Sequence, residues 1–145
     1  MMPRTILGWG LGLVLGMVGS VESARALSDL DEAPRIATMA WLKMVDEGDA
    51  EGSWRACSPE FQKSITEEAW KEALVRLRKT WGAVKSRQFI EAQTTTELPG
   101  GLKGQFVGIR FQTTFADGQP VQENILLSLQ EDRTWRVAAY SLPPK

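Results

Sequence analysis

The chain has no histidine and one cysteine in 145 residues, and its 17 lysines and arginines almost cancel its 18 aspartates and glutamates, leaving a net charge of −1. Each shortage removes a class of function. Without histidine there is no Ser-His-Asp or Cys-His nucleophile system and no histidine-bound zinc. A lone Cys57 cannot close an intrachain disulfide and has no resolving thiol, so buried packing is its expected role. A balanced charge offers no general attraction to nucleic acid or acidic lipid. The glycine-rich "LPGGLKG" lacks the Lys-Ser/Thr ending of a phosphate-cradling loop. No metal and no cofactor is expected, and no repeat or low-complexity segment is present.

What is present begins with an address. Met1 to Arg4 form a short positive start, an uncharged stretch runs from Thr5 to Val21, and Ala24-Arg25-Ala26 has the small-x-small form of a signal-peptidase site. Glycines at 8, 10, 12, 16 and 19 weaken the stretch as a permanent span. Residues 1–26 read as a cleaved signal peptide and 27–145 as a single exported domain, periplasmic or secreted. No stable membrane span is expected after cleavage. An uncleaved N-terminal anchor is the alternative.

The first half of that domain has a helical period. Ala33, Ile36, Ala37, Ala40, Trp41, Met44 and Val45 recur at three- and four-residue spacing, and Gly48 stops the run. A short helical piece is expected around Gly52 to Cys57, and another starts at "SPEF", with Ser58 as cap and Pro59 first. The clearest helix is "TEEAWKEALVRLRKTWG". Thr66 caps it, Glu67 and Glu68 lie at its positive end, and Trp70, Ala73, Leu74, Leu77 and Trp81 make one apolar stripe.

After Gly82 the period becomes two. Val107, Ile109, Phe111, Thr113 and Phe115 share a face, and Val121, Ile125, Leu127 and Leu129 continue it beyond the "ADGQP" turn. Pairing Phe115 with Val121 sets Phe111 against Ile125 and Glu123 against Thr113. Trp135, Val137 and Ala139 form a third row, and an earlier strand is expected near Arg87 to Thr96. Helices followed by strands in two blocks define an α+β domain, N-terminal helices on an antiparallel meander of about four strands.

Several stretches carry a resemblance. "WLKMVDEGDAEGSW", Phe61, the Trp70 helix, "ELPGGLKGQF", "FQTTF" and "TWRVAAY" occur in this order, and together they resemble a family of small exported bacterial proteins known as domain of unknown function 4019. That family is similar to the cone-shaped nuclear-transport-factor-2-like fold, in which a curved sheet wraps helices and can leave a cavity. The resemblance implies no activity and no catalytic residues.

Three places compete for a functional role. Trp41 and Trp54 flank an acidic turn; they read as anchors for two helices, with Asp46, Glu47 and Asp49 solvating the turn, rather than as a cation loop. The basic run holding Arg76, Arg78, Lys79, Lys85 and Arg87 reads first as a helix C-terminus complementing its dipole, with Glu72 paired to Arg76, and second as an anion-binding patch. Glu123, by strand parity, points to the apolar face. A carboxylate in a dry cavity is driven toward its neutral form and can act as a base; near a strand end it would instead reach water. Thr113 and Glu123 are therefore the candidate ligand-binding residues, and Glu123 the one catalytic candidate. The leading expectation is a non-catalytic module binding a small apolar ligand or a protein through the cavity between sheet and helices or through its rim. A lyase- or isomerase-like enzyme using Glu123 is second.

Overall fold

Helix α1, Glu32–Asp46, buries Thr38, Trp41, Leu42 and Val45 along one side and ends where Gly48 takes a positive φ of 76°. In the computed structural model residues 31–144 are described; the expected signal peptide lies outside them. Two short helices follow, α2 (Ala50–Arg55) and α3 (Pro59–Ser64). The side chains of Asp49 and Ser58 cap them by accepting from the amides of Gly52 and Phe61. Helix α4, Glu67–Trp81, starts at Thr66, whose side chain accepts from the amide of Ala69. The whole stripe read from the sequence, Trp70 to Trp81, is buried. Gly82 closes α4 at φ 77°, and a Cβ there would come within 2.7 Å of Ala116, so the close approach and the backbone conformation both require glycine.

The second half is an antiparallel sheet in the order β1-β2-β3-β4: β1 Val84–Glu97, β2 Lys103–Phe115, β3 Pro120–Leu129 and β4 Trp135–Ser141. The α+β reading with a four-stranded meander is what the chain adopts. One face meets the helices and carries Phe89 and Ala92 from β1, Val107, Ile109, Phe111 and Phe115 from β2, Ile125 and Leu127 from β3, and Val137 and Tyr140 from β4. Aromatic rings join the layers. Trp70 lies edge-on to Phe61 and Tyr140 and stacks on Trp41, while Trp81 meets Phe115. Trp41 Nε1 donates to the carbonyl of Ser53 and contacts Cys57 Sγ, and Trp54 Nε1 donates to the carbonyl of Ile65. The two tryptophans at the ends of the acidic turn do anchor the helical layer.

Two details of the sheet differ from the expected pattern. Thr113, not Phe115, pairs with Val121, so Phe111 rather than Thr113 lies opposite Glu123. The cause is the turn: Gly118 donates its amide to the carbonyl of Phe115, which draws Phe115 into the loop and starts the ladder at Thr114 and Pro120. The slip is by two residues, so each side chain keeps its face. In β4 the ladder shifts register between Leu127–Val137 and Leu126–Ala139, leaving Ala138 as an inserted residue. This bulge reverses the parity. Tyr140, not Ala139, faces the core, and Ala139 joins Phe106 and Leu126 on the opposite face. Strand β1 carries three register shifts of its own, which is why its inward face could not be read from alternation.

Candidate functional site

Each strand and the end of α1 contribute one polar side chain to a single buried cluster. Arg87 comes from β1, Thr113 from β2, Glu123 from β3, Tyr140 from β4 and Asp46 from the last turn of α1. The Glu123 side chain is 1% exposed, Arg87 11% and Asp46 31%, so the cluster runs from the core out to the surface. Arg87 forks twice. Its Nη1 and Nη2 donate to the two carboxylate oxygens of Asp46 at 2.9 and 3.0 Å, and its Nε and Nη2 donate to Glu123 at 2.7 and 3.3 Å. Thr113 Oγ1 donates to Glu123 Oε1 at 2.8 Å and the Tyr140 hydroxyl to Oε2 at 2.6 Å.

The structure thus brings Thr113 and Glu123 together, as strand parity required, but inside a filled interior. Among the described residues, a guanidinium, a phenol and a threonine hydroxyl surround Glu123 where an apolar lining was expected. Any ligand reaching Thr113 or Glu123 must first displace Arg87 or Tyr140. Burial disfavours the Arg87 charge, but hydrogen bonds to Asp46 and Glu123, with their negative charges, more than offset it and hold Arg87 firmly protonated. Burial, then the charge of Glu123 and the hydrogen bond to it, push Tyr140 well above the ordinary phenol range against the opposing field of Arg87.

Three members of this cluster escape the sequence reading of the site. That reading gives Asp46 to solvating the turn and Arg87 to a surface basic run; both are corrected to members of the buried network. Tyr140 is hidden by the bulge at Ala138, although a single tyrosine in a strand otherwise rich in aliphatics is a usable signal. The rest of the basic run behaves as a helix terminus: Arg76 lies 3.8 Å from Glu72, and Arg78 donates to the main-chain carbonyl of Asp46. Cys57 is fully buried, and desolvation raises its thiol to about 12 despite the Trp41 hydrogen bond and the charge of Arg136. Among the described residues no three His, Cys, Asp or Glu side chains gather as a metal site, and no helix is long and apolar enough to cross a membrane.

Open space lies on the opposite face of the sheet. A groove of about 850 Å³ runs across the end where the β1–β2 hairpin meets the β3–β4 turn. Phe106, Leu126 and Ala139, all buried, form its apolar floor with Ala138, and Leu98, Pro99 and Leu102 of the hairpin make one wall. Lys103, Arg136, Glu60, Glu131 and Asp132 stand on its rim. Local sequence explains the opening. Gly104, Ser128, Ala138 and Ala139 are small, so little side-chain volume projects from the floor between Phe106 and Leu126. Two of the stretches that carry the family resemblance, "ELPGGLKGQF" and "TWRVAAY", meet at this groove.

Helices on one face of a four-stranded antiparallel sheet, with a hydrogen-bonded polar cluster between them and an apolar groove on the other face, define a small α+β domain with a surface pocket. The chain belongs to the family described as protein of unknown function (DUF4019), whose model matches residues 37–140. No curated protein sequence matches it. Among solved structures it is similar to one from Catenulispora acidiphila, at 16% identity and a TM-score of 0.51, covering 77% of this chain and 88% of that one. It is also similar to Aln2 from a Streptomyces species, at 12% identity and a TM-score of 0.46, covering 75% and 85%. The likeness to the first is one of fold.

Proposed function

We propose that this protein is an exported, non-catalytic binding module whose ligand is a small apolar molecule held in the groove on the outer face of the sheet. The observation that carries the reading is the groove itself: about 850 Å³ of space over Phe106, Leu126 and Ala139, where a sheet face exposed to water would ordinarily be polar. That volume falls in the range of about 300–1,000 Å³ typical of small-molecule sites. Export is supported by the positive start at Met1–Arg4 and the Ala24-Arg25-Ala26 motif.

The catalytic reading of Glu123 is less well supported. Its two oxygens already accept four hydrogen bonds, from Arg87, Thr113 and Tyr140, and a carboxylate so engaged has no lone pair facing a substrate and no path to one. Binding is tested by titrating the folded protein with N-phenylnaphthylamine, a neutral apolar probe whose fluorescence rises in a dry site. Saturable enhancement is expected, weakened at least about tenfold in Leu102→Glu, since Leu102 is 51% exposed and the charge would enter the groove wall without disturbing the core. No saturable binding, or equal binding by the variant, would overturn the assignment.

A further inference from the structure

The buried cluster is graded, and the grading has a mechanical consequence. Its inner arm, Arg87 to Glu123, is closed from water and braced by Thr113 and Tyr140. Its outer arm, Arg87 to Asp46, is reached by solvent, which competes for the same hydrogen bonds. Asp46 is also an acidic residue in the last turn of α1, where the helix dipole disfavours negative charge. The arginine therefore compensates a placement that α1 alone would resist. Among the described residues, the two hydrogen bonds from Arg87 to Asp46 are the side-chain hydrogen bonds that join α1 to the sheet.

We propose that Asp46 and Arg87 form an ionic latch that holds the last turn of α1 and the Glu47–Asp49 turn against the sheet, and that this latch opens on its Asp46 arm while the aromatic core stays closed. Three further observations fit the assignment. Trp41 and Leu42 are buried by apolar contacts independent of the latch, so the body of α1 has its own anchorage. Beyond Asp46 the turn follows at Gly48, whose positive φ makes a ready pivot. The turn also borders a second groove, against Glu67, Glu68, Lys71, Val75 and Arg78 of α4, so opening the latch would change the shape of that groove. Besides Glu67, Glu68 and Lys71, charged groups at the turn include Arg78, which donates to the carbonyl of Asp46, and Lys43, which lies 3.7 Å from Glu47.

Hydrogen exchange on the full chain separates this device from a merely cooperative core. In the wild type, amides from Glu47 to Gly52 should exchange through local openings insensitive to low denaturant, while those of β2 and β3 exchange only through global unfolding. In Asp46→Asn the turn amides should exchange several-fold faster. Arg87→Ala should loosen the turn as well, on top of a global loss from leaving Glu123 buried and unpaired. Millimolar guanidinium chloride, but not sodium chloride at equal concentration, should restore its protection, because the vacated slot fits a planar fork of donors. The double variant Arg87→Ala/Glu123→Gln should not respond. Turn and sheet amides sharing one denaturant dependence in the wild type would show one cooperative unit and overturn the latch. No loosening at all in Asp46→Asn would assign the turn to Arg78 and overturn it equally. Should Arg87→Ala fail to fold, Asp46→Asn decides the question alone.

Discussion

Replacing Glu123 with glutamine exchanges one oxygen for an NH₂ group at the most crowded polar position of the fold. The carboxylate accepts four hydrogen bonds: Arg87 Nε and Thr113 at Oε1, Arg87 Nη2 and Tyr140 at Oε2. An amide can accept at one of these sites only, and at the other it presents hydrogens to Arg87, which has no acceptor to offer. Thr113 or Tyr140 can turn its hydroxyl to accept; Arg87 cannot adapt, and it also loses one of its two counter-charges. Breaking a buried ion pair from one side costs about 3–5 kcal/mol. Asp46 still neutralises Arg87, so the expected cost is about 2–4 kcal/mol, on the order of 10 °C in Tm for a domain of this size. Urea unfolding followed by tryptophan fluorescence measures it, with Asp46→Asn as the partly exposed control expected to lose about 1 kcal/mol or less. A Glu123→Gln midpoint at the wild-type value, or equal losses in the two variants, would refute the gradient from buried to exposed.

Other expectations follow from the same geometry. Trp70→Ala should cost about 3–5 kcal/mol by removing a fully buried ring between Trp41, Phe61 and Tyr140 and its 2.9 Å hydrogen bond to Ser53, measurable as a shift in the denaturation midpoint. The chain has one tyrosine, so near-ultraviolet tyrosinate absorbance reports Tyr140 alone. Its raised folded pKa means that stability is whole below the unfolded phenol value of about 10 and falls above it, by up to about 1.4 kcal/mol per pH unit, as the unfolded chain releases a proton that the folded one keeps. Ionisation in the folded protein at the pH of a free phenol would contradict this. Cys57, buried and raised to about 12, should resist thiol reagents near neutral pH until the domain unfolds. Intact mass of the exported protein should correspond to cleavage after Ala26; a chain retaining Met1 and fractionating with membranes would contradict that address.

The elements that periodicity and capping specify are readable without the structure. Thr66, Ser58 and the stripe from Trp70 to Trp81 define the helices, and alternation in β2 and β3 defines which side of the sheet meets them. What stays hidden depends on single inserted residues. The bulge at Ala138 turns Tyr140 inward, and the shifts in β1 free Arg87 from simple alternation. Strand parity therefore finds Glu123 and Thr113 but not the residues that fill the space around them. Parity places a side chain on a face; it does not tell whether that face encloses a cavity. The groove is illegible for a related reason: it arises where Gly104, Ser128, Ala138 and Ala139, from three different strands, place small side chains side by side.

Whether ligand binds outside the sheet or inside it is answered most directly by backbone amide chemical-shift mapping of the folded protein titrated with N-phenylnaphthylamine. Binding in the outer groove predicts shifts gathered at Leu102, Phe106, Leu126 and Ala138, with Thr113, Glu123 and Tyr140 unmoved. Shifts centred on Thr113, Glu123 and Tyr140 would contradict it, showing that the probe enters the interior and displaces the network around Arg87.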